Sequence, residues 1–208
     1  LNMFLNKNSF CIIPNAVPHH VCDQIIKHGN EQKQKLGTIG TLSKRKKPLS
    51  KKEIKDLKKH RNSTISFLTD WWIQRQVFPA VLEANKIAKW NVSITGHEAM
   101  QFTKYNKGQF YGWHYDSWID PYQNNTIRKL SVTICLSDEK DFEGGDLEFA
   151  IQDTTGREPL KKILRTCHEV RKKGSLIVFP SFLWHRVTPV TKGTRYSLVI
   201  WSTGEQYK

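Results

Sequence analysis

The run Gly112-Trp113-His114-Tyr115-Asp116-Ser117-Trp118 sets a histidine and an aspartate two residues apart. Side chains in a β-strand alternate between faces, so His114 and Asp116 are expected to point the same way. An imidazole and a carboxylate presented together supply two ligands for a metal ion. An H-x-D alone is weak evidence, because the same pattern also occurs in polar strands that bind nothing.

The third ligand must come from elsewhere, and His185 is the candidate. It lies in "FPSFLWHRVTPV", an apolar strand where an imidazole needs a reason to be. One reason is a core histidine bonded to backbone; the other is metal ligation. Two histidines and one carboxylate on one face describe the facial triad of non-haem iron(II) oxygenases. A zinc site with the same donors competes with that reading.

Arg195 separates the two. It stands in the next strand, "TRYSLVIW", and shares one face with Ser197, Val199 and Trp201. An arginine directed into a β core keeps its charge and therefore needs a buried anion. A dicarboxylic co-substrate supplies one: its far carboxylate takes a bidentate pair from Arg195 and a hydrogen bond from Ser197. Its near carboxylate and keto oxygen are then free for the metal. A hydrolytic zinc site has no such requirement.

The elements that must hold these residues follow from periodicity. From residue 98 the apolar period is two, with strands expected near 98–105, 109–117, 128–137, 145–151, 161–169, 175–179, 183–190 and 194–202. Glycines punctuate them, and Glu143-Gly144-Gly145 reads as a tight turn needing glycine geometry. Before residue 98 the pattern is helical. Pro18 suits the first turn of a helix ending near Gly29. Residues 70–89 form a second helix, in which Pro79 should cause a break or kink. Ser50 and Glu53 make a capping-box pattern for a short helix over 51–59. The rest of 31–61 is basic and poor in large apolar residues, which predicts a flap or a solvated surface rather than core. Helices first and strands after make an α+β chain, with helices on one side of a sandwich or barrel.

Composition sets the outer limits. The chain has 208 residues, enough for one domain with a real core. Cys11, Cys22, Cys135 and Cys167 are scattered, which argues against a thiolate zinc site or a disulfide framework. There is no run of about 18 apolar residues and no signal-peptide pattern, so the expectation is a cytoplasmic protein with no membrane partner. The formal net charge of +14 favours acidic partners: nucleic acid, an anionic co-substrate or an acidic peptide. Solubility and an electropositive site account for it equally well.

With these residues in view, the sequence resembles the iron(II)/2-oxoglutarate-dependent dioxygenases of the prolyl 4-hydroxylase family, and most closely the PKHD-type hydroxylases. The resemblance rests on "YNKGQFYGWHYD", "VTICLSDEKDFEGGDLEF" and "GSLIVFPSFLWHRVTPVTKGTRYSL", and covers about residues 98–202. It implies a double-stranded β-helix, or jelly roll, over 98–202, with helical support and a basic flap over 1–97, in a single domain. It implies His114, Asp116 and His185 as catalytic iron(II) ligands, and Tyr105, Arg195 and Ser197 as contacts for 2-oxoglutarate. O2 is the other co-substrate, and ascorbate an accessory.

Tyr111, Trp113, Tyr115 and Trp118 either line a substrate pocket or pack at its rim. The favoured reaction is hydroxylation of an unactivated C–H bond, on a prolyl residue of a protein or peptide. A free amino acid, another small molecule, nucleic acid or a nucleic-acid-bound protein are the alternatives. The basic excursion at 31–61 lies outside the shared motifs, so the substrate does not follow from them.

Overall fold

The computed structural model describes residues 4–6, 9–40, 42, 45, 47–117, 120–122, 124–152 and 162–206. The first part of the chain contains β1 (Phe4–Asn6), β2 (Phe10–Ile13), α1 (His19–Glu31), β3 (Lys35–Leu36), α2 (Lys51–Leu57), β4 (Arg61–Asn62), β5 (Thr64–Leu68) and α3 (Trp71–Ile87). The remainder is strand: β6 (Gly96–His97), β7 (Met100–Asn106), β8 (Phe110–His114), β9 (Thr126–Cys135), β10 (Phe142–Gly144), β11 (Leu147–Gln152), β12 (Lys162–Thr166), β13 (Leu176–Pro180), β14 (His185–Val187) and β15 (Val190–Glu205).

These strands form two antiparallel sheets. The larger runs β1-β2-β13-β9-β15-β7-β5-β3, with β6 and β10 paired to β15. The smaller runs β12-β11-β14-β8-β4. The architecture is α+β, with helices on one side of the β core as the order of elements predicts, and the β core is the double-stranded β-helix that the resemblance implies. Alternation along each strand explains why there are two cores. On β13, Leu176 and Val178 face the helices, joining Val21, Ile25, Ile73, Val77 and Val81. Ile177 and Phe179 face inward and meet Phe149 of the smaller sheet. On β15, Leu198 and Ile200 belong to the helix side. By alternation Arg195 and Ser197 fall on the opposite, inward face.

Three expectations need correction. Helix α3 runs unbroken through Pro79. An interior proline costs about 3 kcal/mol. Burying an aliphatic side chain returns about 1.5–3 kcal/mol, and Ile73, Val77 and Val81 are all buried on that helix. The sum favours continuity. Next, residues 31–61 are not all flap. β3 pairs with β5, and β4 pairs with β8, so this segment extends both sheets. Finally, β8 ends at His114, short of the 109–117 expected.

The capping box at Ser50 and Glu53 forms as expected, and α2 is a short helix whose Leu57 is buried. All four cysteines are buried and free. Among the described residues, no helix is long and apolar enough to cross a membrane.

Candidate metal centre

His114 and His185 sit opposite each other across the antiparallel pair β8–β14. The next pair in that register is Val187 with Tyr111, two residues on along β14 but three along β8. The extra residue is a β-bulge. It breaks the simple alternation and brings the Tyr111 ring onto His114, with centroids 3.5 Å apart. Gly112 sits in the bulge and donates its N–H to the His60 carbonyl at 2.7 Å. A Cβ there would meet that carbonyl oxygen at 2.9 Å, so only glycine permits the close approach.

Asp116 lies beyond the end of β8, not within it as the sequence suggested. Its N–H and that of Ser117 both donate to the Ser181 carbonyl, at 2.8 and 3.0 Å. Ser131 Oγ donates to Asp116 Oδ2 at 2.7 Å. This loop, pinned from two sides, brings the carboxylate between the histidines. Asp116 Oδ1 lies 3.7 Å from His114 Nε2, and Oδ2 lies 3.7 Å from His185 Nε2.

These separations are too long for hydrogen bonds. Burial, and then the His185 charge, push the His114 imidazole down to about 3, so it is neutral near pH 7 and no ion pair forms with Asp116. Burial alone would raise the Asp116 carboxyl; His185, His114, Arg128 and the Ser131 hydroxyl outweigh it and hold it at about 2. Each histidine uses Nδ1 on its own backbone: His114 on the Gly112 carbonyl and His185 on the Leu183 carbonyl, both at 2.8 Å. A backbone carbonyl can only accept, so Nδ1 carries the proton and Nε2 offers its lone pair. One donor atom from each of the three residues lies within 4.8 Å of the others, and no other such cluster occurs among the described residues. Two imidazoles that turn Nε2 toward one carboxylate fit a divalent cation.

Arg195 and Tyr105 are register partners on β15 and β7. Arg195 is 3% exposed, and its Nη1 is buried without a hydrogen-bond partner. Its guanidinium carbon lies 5.7 Å from the Tyr105 ring centroid. Gly145, at φ +64°, makes room for it: a Cβ there would come within 2.9 Å of Arg195 Cδ. Ser197 is buried one alternation further along β15. A buried guanidinium N–H without a partner fits an anionic group at this place.

The aromatic residues divide. Tyr111 belongs to the interior, stacked on His114. Trp113 lies beneath Arg186, with the guanidinium carbon 4.8 Å from its ring centroid. Tyr115 is half exposed and meets Trp184 at the rim, 5.4 Å between centroids. Trp118 lies outside the described residues.

Several residues near the site escaped the sequence reading. Arg128 makes a two-point pair with Glu98, at 2.6 and 2.5 Å, and lies over Trp201. Phe182 and Trp184 flank the His185 turn with exposed rings. Arg61, hidden at the end of the basic run, is buried against Tyr111. The signal for the aromatic pair was available, since "SFLWH" places two large rings in a turn with little core to cover them.

Comparisons with known proteins agree with this geometry. The pattern that defines the 2OG-Fe(II) oxygenase superfamily matches residues 100–203. A PKHD-type hydroxylase of Shewanella oneidensis is 38% identical over 101 residues, which is 48% of this chain and 40% of that protein. The chain thus aligns with about two-fifths of that relative's length.

Among solved structures, a Pseudomonas putida prolyl-4-hydroxylase superposes with a TM-score of 0.64 at 15% identity, covering 97% of this chain and 95% of its own. A Trichoplax adhaerens prolyl hydroxylase, in complex with a hypoxia inducible factor oxygen degradation domain peptide fragment, gives 0.63 at 18% identity, covering 95% and 84%. These two likenesses are of fold.

Proposed function

Because the chain belongs to the 2OG-Fe(II) oxygenase superfamily, we propose that it is an iron(II)- and 2-oxoglutarate-dependent dioxygenase that hydroxylates an unactivated C–H bond, with a prolyl residue of a protein or peptide as the substrate class. The observation that carries this reading is the buried Arg195 Nη1, without a partner, in the same core as the His114–Asp116–His185 cluster. A hydrolytic metal site has no use for that cation.

In this reading His114 Nε2, the Asp116 carboxylate and His185 Nε2 hold iron(II). Arg195 and Ser197 hold the far carboxylate of 2-oxoglutarate, and the Tyr105 hydroxyl adds a hydrogen bond. Iron(II), 2-oxoglutarate and O2 together supply the hydroxylating oxidant, with succinate and CO2 as the co-products. The chain contributes positioning. The Gly112 and Leu183 carbonyls hold each Nδ1 and so turn both Nε2 atoms toward the site, and Ser131 fixes the rotation of the Asp116 carboxylate. Tyr111 covers one face of His114, and Phe179 meets His185 edge-on at 4.7 Å, which limits water around the ligands. The catalytic unit is the whole chain, with residues 1–97 adding support and a basic cover to the 98–202 core.

The PKHD-type relative and the prolyl hydroxylases of like fold support the prolyl class, as does the exposed Tyr115–Trp184 rim, which suits the compact, largely apolar pyrrolidine ring. Ascorbate belongs to the proposal as an accessory reductant. Incubation of the iron-loaded enzyme with a proline-containing peptide library, free proline and oligonucleotides, followed by mass analysis, tests the substrate class. One added oxygen on a peptide proline supports it. Oxygen added only to free proline or only to an oligonucleotide overturns it.

A further inference from the structure

Arg61 is a second buried arginine that lacks an anion. It stands on β4, which pairs with the His114 strand, and it is 4% exposed. Nε donates to Ser63 Oγ at 2.9 Å and Nη1 to the Thr38 carbonyl at 3.0 Å. Nη2 is buried with no partner. Its guanidinium carbon lies 4.3 Å from the Tyr111 ring centroid, and Tyr111 in turn stacks on His114. The fold clears space for this side chain: a Cβ on Gly37 would meet Arg61 Nε at 2.5 Å.

The charges around the site do not balance without a further anion. Arg128 is matched by Glu98. Among the described residues no carboxylate pairs with Arg61 or Arg195. Both charges are felt at the Tyr105 phenol: burial raises it, and Arg61 and then Arg195 oppose the rise. Arg195 accounts for one carboxylate of the co-substrate, which leaves Arg61 over. A planar guanidinium, held by two of its nitrogens and stacked on a ring, presents its third to one hydrogen-bond acceptor in a fixed direction.

We propose that Arg61 is a second carboxylate anchor of the site, binding through Nη2 an acidic group that comes either from the substrate, beside the C–H bond to be hydroxylated, or from the co-substrate. The inference rests on the oxygenase reading above. In the first case the enzyme prefers a substrate with a carboxylate next to the reacting residue. In the second, both ends of 2-oxoglutarate are held by arginine.

Calorimetry under nitrogen on the full chain loaded with Mn(II), which binds as iron(II) does but does not turn over, separates these cases. 2-Oxoglutarate is titrated into wild type, Arg61→Gln, Arg61→Lys and Arg195→Gln; acetate is then titrated into each Mn(II)–2-oxoglutarate complex. A loss of 2-oxoglutarate affinity of roughly 30-fold or more in Arg61→Gln, partly recovered in Arg61→Lys, identifies the co-substrate as the source. Unchanged 2-oxoglutarate affinity, with acetate binding present in wild type and lost in Arg61→Gln, identifies the substrate.

If neither titration differs from wild type, the proposal is overturned. If wild type does not bind 2-oxoglutarate, the oxygenase reading fails instead, and acetate titrated into the Mn(II)-loaded chain still decides the role of Arg61. Should Arg61→Gln not fold, wild-type crystals grown with Mn(II), 2-oxoglutarate and acetate give the answer. A carboxylate oxygen on Nη2 supports the anchor; Nη2 facing only water or protein overturns it.

Discussion

His114 and His185 are register partners across one antiparallel strand pair, and each hands its Nδ1 proton to a carbonyl two residues before it. The hydrogen bonds that orient the two imidazoles therefore come from backbone, with aromatic rings packed beside them. Asp116 comes from a loop, and its carboxylate depends on Ser131 and on the double hydrogen bond to the Ser181 carbonyl.

That difference predicts which supporting residue matters. Ser131→Ala removes the hydroxyl that donates to Asp116 Oδ2 and leaves the sheet intact. Loss of such a supporting hydrogen bond weakens metal affinity by about 10–100-fold. Competition of Mn(II) against a chelating dye measures it, and an unchanged affinity would show that the loop backbone suffices.

Arg195→Ala should raise the KM for 2-oxoglutarate strongly. Removing one partner of a buried charge pair costs about 2–5 kcal/mol. Arg195→Lys should recover part of the loss, because it keeps the charge without the fork. Steady-state kinetics with 2-oxoglutarate as the varied substrate checks both; equal KM values in wild type and Arg195→Ala would place the co-substrate elsewhere.

Helix α2 and the turn after it present Lys51, Lys52, Lys55, Lys58 and Lys59 to solvent and lead directly into β4, beside the His114 strand. Exposed charges of this kind act on encounter, and salt screens them over about 8–10 Å. Raising salt should raise the KM of an acidic macromolecular substrate and spare uncoupled 2-oxoglutarate turnover. Replacing four of these lysines by glutamine should mimic salt. A substrate KM indifferent to both treatments would make α2 a solvated surface only.

The cap of α2 should be acid-sensitive. The Ser50 backbone, then its hydroxyl, then Arg45, hold the Glu53 carboxyl down at about 2, against an ordinary 4.5. A lowered folded-state value means that the cap's contribution is complete above about pH 4.5 and fades as the pH falls toward 2. Amide exchange over residues 51–57, corrected for the intrinsic effect of pH, should show less protection at pH 3 than at pH 6. Glu53→Gln, which removes the titrating carboxyl, should flatten that difference, and an equally steep profile in the variant would rule out the capping box as its cause.

Much of this was legible in the sequence, for physical reasons. Strands after residue 98 alternate because each has one face inside the roll and the other on the helices or at the outer surface, so their pattern is strong. Arg195 was legible because a charge in an apolar strand demands an explanation. Arg61 was not. It ends a run of exposed cations, and only the close passage of Gly37 and the pairing of β4 with β8 bury it. The bulge at Gly112 was equally hidden, since one extra residue leaves no trace in hydrophobic periodicity. Asp116 was grouped with His114 by the wrong route: it meets His114 through a pinned loop, not through strand alternation.

The central claim is that His114, Asp116 and His185 hold one iron(II) to which 2-oxoglutarate binds. Anaerobic titration of the apoprotein with iron(II) and saturating 2-oxoglutarate tests it most directly, followed by the weak visible charge-transfer band of that complex. The band should saturate at one iron per chain in wild type and be absent in both His114→Ala and His185→Ala. Retention of the full band in either variant would contradict the assignment.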